Sequence, residues 1–204
     1  MSDLHGGFVE VFVFRRAGRR TEFLCLRRAR GRRLPGVWQP VTGRRLAGES
    51  ALAAAAREVR EETGLEPRRW WALEAPTVFY DAARDRLRCY PRFVAEIGPR
   101  EAVRLSDEHT ESAFLPAAAA GRRYLWESQR RGLEEAKRQV LRGGPLAAAL
   151  EVTRLLASPA RRRDGPGRAG SGGEPRRTAR PRASRPRAMP ARRQGISHRR
   201  VKGA

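Results

Sequence analysis

The chain has 204 residues, enough for one domain with a core and an appendage. Its 44 Lys and Arg against 22 Asp and Glu leave a net charge of +22. The two cysteines, Cys25 and Cys89, lack the C-x-x-C spacing of a zinc site, and the opening stretch has neither a basic leader region nor the roughly 18 apolar residues of a membrane anchor. The expectation is a reduced, cytoplasmic protein with no membrane partner.

In chain order, "FVEVFVF" (8–14) and "EFLCL" (22–26) are β-branched and aromatic runs around a turn glycine, Gly18, and predict a hairpin. A basic loop, "RRARGRR" (27–33), leads through glycine and proline breaks to a short strand-like "VWQPV" (37–41). Ser50 as N-cap and Gly64 beyond the last turn predict a helix over 51–63. Residues 69–97 offer two or three strands, with "ARDR" (83–86) as a turn, and "SAFLP" (112–116) one more. From 117 to 141 the pattern is helical, with Leu125, Leu133, Ala136 and Val140 as an apolar stripe. "GGP" (143–145) ends it, and 146–157 fits one further helix. Strands on both sides of a helix imply a mixed sheet between helices, an α/β/α or α+β arrangement.

The chain changes character near Ser158. From there onward 15 basic residues face 2 acids, and the segment is rich in Arg, Pro, Gly and Ser, with no aromatic residue. Such a segment buries too little apolar surface to offset its ordering entropy. The expected organisation is therefore a folded domain over 1–157 and a disordered basic tail over 158–204. The tail is either a solvated extension or an arm for a nucleic acid or other polyanion. The basic residues are nearly all Arg, with only Lys137 and Lys202 as lysines. That suits bidentate phosphate contacts, or reflects a general Arg, Ala and Gly bias.

The helix over 51–63 carries the most unusual charge pattern. On a helical wheel Glu58, Glu61 and Glu62 fall within an arc of about 100°. Leu52, Ala55, Ala56 and Val59 form the adjoining face, small and apolar, suited to docking on a sheet. Like charges three and four residues apart repel by a few tenths of a kcal/mol per pair. They also sit at the helix end where the macrodipole disfavours anions. Charge pattern alone leaves two readings open: a surface offset by Arg57 and Arg60, or a place for a hard divalent cation.

The spacing is more specific. Gly43 is followed after five residues by Glu49, and after seven more by Arg57-Glu58-Val59, Arg60, Glu61-Glu62, Thr63 and Gly64-Leu65. This resembles the Nudix box at all nine of its defining positions. The resemblance implies an α/β/α sandwich with a mixed central sheet, and hydrolysis of a nucleoside diphosphate linked to another group with Mg²⁺ or Mn²⁺. It implies Glu58, Glu61 and Glu62 as metal ligands, Arg57 as the residue orienting the catalytic carboxylate, Glu49 in a supporting role, and Gly43 and Gly64 as backbone turns. Bound Mg²⁺ would neutralise the diphosphate and acidify water, and a carboxylate would accept the proton.

Two further stretches, "WQPVTG" (38–43) and "EHTESAFLP" (108–116), look like the bacterial dihydroneopterin triphosphate pyrophosphatase branch, also described as dATP pyrophosphohydrolase. That likeness adds Glu108 as a metal-associated acid and catalytic candidate, with Glu111 as its rival. His109 is expected as a loop hydrogen-bonder, with a substrate contact as the alternative. Arg44-Arg45-Leu46-Ala47 and Phe114 depart from that branch and bear on the substrate. The implied substrate is a nucleoside or pterin triphosphate. The alternatives are removal of pyrophosphate from RNA 5′ ends, or a nucleic-acid-binding module using the basic tail. Of the aromatics, Trp38, Trp70, Trp71, Phe79, Tyr80, Tyr124 and Trp126 are expected mainly in the core, with one available to hold a base or pterin.

Overall fold

The computed structural model describes residues 7–157. The tail over 158–204, with its expected disorder and its expected arm for polyanions, lies outside the described residues.

The hairpin forms as expected. β1 (Phe8–Ala17) and β2 (Arg20–Arg28) pair antiparallel around Gly18, whose φ of 61° suits glycine in the turn. β1 is the spine of a mixed seven-stranded sheet. On one edge its first half pairs with β4 (Val41–Arg44) and its second half with β2. On the other edge it runs parallel to β8 (Arg92–Ile97). β2 also pairs with β3 (Trp38–Gln39) and β9 (His109–Pro116), and β5 (Arg69–Ala72) lies beyond β8.

Both faces of this sheet are covered, which is why β1 reads as a nearly continuous apolar run. Val9, Val11 and Val13 pack on one side with Ala54, Ala55 and Val59 of α1 (Ala51–Thr63). Phe12 and Phe14 pack on the other with Ala120 of α2 (Ala117–Arg123) and Leu133 and Ala136 of α3 (Glu127–Ala136). Strand alternation thus makes two cores, one per face, and gives the α/β/α sandwich. Leu52 and Ala56 of the expected docking face are only partly buried, while Ala54 is fully so.

Three expectations need correction in detail. Residues 69–97 form four strands. β6 (Thr77–Asp81) and β7 (Arg86–Tyr90) make a separate two-stranded sheet across a short 3-10 turn, Ala82–Arg84. The helical stretch from 117 to 141 is broken at Tyr124, which is pulled into the core and paired with Trp38, so Leu125 is exposed and leaves the stripe. It also ends in a π-turn, Lys137–Leu141, that lets buried Gln139 accept a hydrogen bond from the Glu74 amide at 3.2 Å. The last helix is two short ones, α4 (Pro145–Leu150) and α5 (Arg154–Ala157). Between them the chain extends, Trp71 bridges to Glu151, and the Val152 amide donates to the Trp70 carbonyl at 2.8 Å.

Two helical glycines separate propensity from packing. Ala is favoured over Gly inside a helix by up to about 1 kcal/mol. A Cβ at Gly121 meets only Leu133 Cδ2, at 3.7 Å, so Gly121→Ala should stabilise. A Cβ at Gly132 would stand 2.5 Å from Phe12 Cζ and 2.9 Å from Arg92 Nη1, both buried. Overpacking costs about 1–3 kcal/mol, so Gly132→Ala should destabilise by roughly 1–2 kcal/mol net. Urea unfolding of the two variants should give opposite signs.

Candidate active site

The helix that carries the acids is set by local chemistry at both ends. Ser50 Oγ accepts from the Ala53 amide at 3.1 Å, and Gly64, at φ 67°, turns the chain out while its amide donates to the Arg60 carbonyl at 2.8 Å. Observed and expected bounds coincide.

Arg57 is the hub. Its Nε donates to Glu49 Oε1 at 3.0 Å and its Nη2 to Glu49 Oε2 at 3.1 Å, a bidentate pair. Nη1 donates to Glu58 Oε1 at 2.9 Å and to Glu61 Oε2 at 2.8 Å, and Nη2 also to the Arg44 carbonyl at 2.7 Å. One guanidinium therefore holds three carboxylates and ties the loop after β4 to the helix. Glu49 completes that loop by accepting from the Leu46 amide at 3.0 Å. Its hydrogen bonds with Arg57 hold its pKa below the ordinary carboxylate range, against a smaller opposing effect of burial.

Gly43 has a steric reason. A Cβ there would overlap the Cγ and carboxylate carbon of Glu58, which lies against the β4 backbone. Burial pushes the Glu58 pKa up, partly offset by Arg57.

Glu62 points inward. It is 4% exposed, and its Oε2 has no hydrogen-bond partner. Burial first, then the charges of Glu58 and Glu108, raise its pKa well above the ordinary range, while Arg28 opposes them. The loop between β8 and β9 brings Glu108 there. Arg104 N donates to the Thr63 carbonyl at 2.8 Å, Ser106 N to the Glu62 carbonyl at 3.2 Å, and Ala29 N to the Glu108 carbonyl at 2.9 Å. The Glu108 side chain, 42% exposed, is 3.3 Å from Arg32. Glu111 is instead paired with Arg27 on the sheet edge, so of the two rivals Glu108 is the one whose charge acts on Glu62.

His109 departs from expectation. Its ring is buried and neither nitrogen has a hydrogen-bond partner, so it is no loop hydrogen-bonder. Nδ1 lies 3.9 Å from Glu62 Oε2. Burial, then Arg28 and Arg32, push its pKa down to about 4. The ring is neutral near pH 7, and this contact is not an ion pair.

Next to the acids lies a cleft of about 500 Å³. Arg28 joins the two: it lines the cleft, its charge reaches Glu62, and it donates to Gln39 Oε1 at 3.3 Å. Gln39 Nε2 in turn donates to Thr42 Oγ1 at 3.1 Å, and Thr42 precedes Gly43. Phe79, Tyr80 and Trp126 line the cleft and are exposed, whereas Trp70, Trp71 and Tyr124 are core and Trp38 is half-buried beneath Arg123. Of the basic loop, Arg28 and Arg33 reach the cleft. The cleft also contains Glu10, Thr77 and Gln129, none of which is singled out by sequence. A Glu within the apolar run of β1 was the available signal.

Among the described residues, no three His, Cys, Asp or Glu side chains are already gathered into an ion-binding cage. The donor set still fits a hard divalent cation. All four acids offer oxygen, and Glu62 holds a buried carboxylate oxygen with nothing bonded to it. Mg²⁺ typically takes only one or two protein carboxylates, with waters and phosphates completing its shell. Arg57 holds Glu58 and Glu61 in place meanwhile.

The contact between Gly43 and Glu58 is directly testable. Gly43→Ala should expel the Glu58 side chain and cost about 1–3 kcal/mol by overpacking. In Gly43→Ala/Glu58→Ala the clash is gone, so thermal melts should show strong non-additivity between the two sites.

The NUDIX domain family model matches residues 6–136. No curated protein matches by sequence. Among solved structures, a C. elegans Ap4A hydrolase binary complex is similar with a TM-score of 0.55 and 20% identity, over 64% of this chain and 94% of that one. The MutT protein from Methanosarcina mazei Go1 has a TM-score of 0.51 and 26% identity, over 64% and 91%. The E. coli dihydroneopterin triphosphate pyrophosphohydrolase has a TM-score of 0.49 and 25% identity, over 62% and 92%. With the family matched over more than half of its length, and the box residues arranged around Arg57, this chain belongs to the Nudix family and is a hydrolase of phosphoanhydride bonds.

Proposed function

We propose that the enzyme is a divalent-metal-dependent pyrophosphohydrolase that splits a nucleoside or pterin triphosphate into a monophosphate and pyrophosphate. The observation that carries this reading is the unpartnered, buried Glu62 oxygen among three other acids, next to an aromatic-lined cleft. Nudix hydrolases generally use divalent ions, and Glu58, Glu61, Glu62 and Glu108 would hold Mg²⁺ or Mn²⁺ here. When bound, that ion supplies positive charge against the phosphate oxygens and eases deprotonation of the attacking water.

The chain's own residues do the rest. The cleft, about 500 Å³, is of the size that holds a ring system and sugar-like portion. Arg28 and Arg33 line it and meet the phosphates, Arg28 nearest the acids. Arg57 acts through Glu58: it fixes the carboxylate and takes no proton. Glu108 is half-exposed at the site's edge, and with Glu58 it is a candidate to accept the water's proton. The "WQPVTG" and "EHTESAFLP" stretches favour the dihydroneopterin triphosphate and dATP branch.

No helix among the described residues is long and apolar enough to cross a membrane. Cys25 and Cys89 are both free thiols, which supports the proposed cytoplasmic setting.

Pyrophosphate release from nucleoside triphosphates, dihydroneopterin triphosphate and a 5′-triphosphorylated RNA tests the reaction. Turnover of the free triphosphates is expected with Mg²⁺ or Mn²⁺; turnover confined to the RNA would replace this reading with the RNA one. Glu61→Gln and Glu62→Gln should each cut turnover by roughly 10²-fold or more with the fold intact. Added Mg²⁺ should raise the melting temperature of the wild type but not of Glu62→Gln. Full activity in Glu62→Gln would remove the metal assignment.

A further inference from the structure

The cleft contains a second polar group that the acids around α1 do not explain. Glu10 sits on the β1 face opposite α1, across from Thr42 on β4 and Arg92 on β8. It is buried, as are Thr77 of β6 and Gln129 in the first turn of α3. Thr77 Oγ1 donates to Glu10 Oε2 at 3.1 Å, and the Gln129 side chain lies near enough to favour the ionised form of Glu10. Gln129 Oε1 is buried with no partner, in a residue 4% exposed that lines the cleft. A buried acceptor without a donor is costly and needs a reason.

The cleft's other surfaces narrow the choice of donor. Phe79 meets Tyr90 edge-on at 5.3 Å, while Tyr80 and Trp126 stand 59% and 52% exposed. Exposed rings around a polar floor suit a flat heterocycle that stacks on them and turns a hydrogen-bonding edge inward. Just beneath that floor lie two acceptors, the buried Gln129 Oε1 and the Glu10 side chain. Burial raises the Glu10 pKa, while Thr77, Arg92 and Gln129 oppose that shift. Two adjacent N–H groups from a ligand would add to those donors and favour the ionised form.

Building on the function proposed above, we infer that Glu10 and Gln129 read the paired N–H donors of a 2-amino-4-oxopyrimidine ring, the edge shared by guanine and pterin. Adenine and cytosine place an acceptor nitrogen beside their amino group, which would face a second acceptor here.

The test is binding of unphosphorylated ligands to the full chain without metal, so it does not depend on hydrolysis. Neopterin, guanosine and adenosine are titrated by calorimetry or ring fluorescence. Neopterin or guanosine, or both, should bind at least about tenfold more tightly than adenosine, the loss expected for unmatched buried polar groups. The stronger of the two identifies pterin or guanine as the source. Gln129→Met keeps the shape without the acceptor and should remove most of that preference, leaving adenosine unchanged. Glu10→Gln should do the same and serves as the second variant if Gln129→Met unfolds. Trp126→Ala should weaken all three ligands by a similar factor. Equal or tighter adenosine binding overturns the inference. So do a uniform loss in both floor variants and an absence of ring binding, in which case Gln129 holds water alone. Ring selectivity without hydrolysis of any triphosphate would sink the proposed reaction and leave this inference standing. Hydrolysis without ring preference would do the reverse.

Discussion

The position of the site depends on the bidentate pair between Arg57 and Glu49. A single Arg57–Glu61 contact at helix spacing would contribute only a few tenths of a kcal/mol. Arg57 does more because it is mostly shielded from solvent and donates five hydrogen bonds, one of them to a backbone carbonyl. It locks the loop after β4 onto α1, and β4 itself carries Gly43, the residue that leaves room for Glu58. Lysine could not replace this geometry, since an ammonium lacks the planar fork. The helix, in turn, is held to the sheet by small residues, Ala54 and Ala55, and by Val59. That docking sets the Glu58 side chain against the backbone of Gly43 in β4.

The sheet imposes a second constraint. Both faces are covered, so any polar side chain within it must find partners inside. Glu10 interrupts the apolar face that Phe12 and Phe14 continue, and it does so where β6 and α3 supply Thr77 and Gln129. Glu62 interrupts the other side beside His109, which burial keeps neutral. The two buried acids thus lie on opposite faces of one sheet. Arg28, Gln39 and Thr42 form the hydrogen-bonded line between the cleft and the acidic helix.

What the sequence revealed follows from the range of the interactions. The α1 bounds, its caps and the box residues are local: they depend on period, on Ser50 and on Gly64, all within one short stretch, so reading them needs no tertiary knowledge. The hairpin and the α/β/α layering also follow from pattern. The break at Tyr124 could not be read, because a buried tyrosine paired to Trp38 overrides a helical pattern. The preference for Glu108 over Glu111 depends on the loop before β9 docking on the last turn of α1. His109 looked polar and proved to be enclosed without a partner. Glu10 and Gln129 are far apart in the chain, and neither stands out until β1 and α3 meet over the cleft.

The charge distribution gives these pieces a common logic. The chain as a whole carries +22, a field that draws in polyanions such as triphosphates and repels small cations. A hydrolase that used a divalent ion on such anions, as proposed, would need both, so its acids would have to overcome that field locally. They do so by crowding. One Arg57 faces Glu49, Glu58 and Glu61, leaving that cluster negative, and Glu62 is pressed by Glu58 and Glu108 with Arg28 in opposition. The surplus is confined to one helix end, where macrodipole and repulsion both argue against it. A sequence that breaks local rules in one place, while obeying them at both caps and along the docking face, marks the place where the proposed divalent ion would complete the electrostatics.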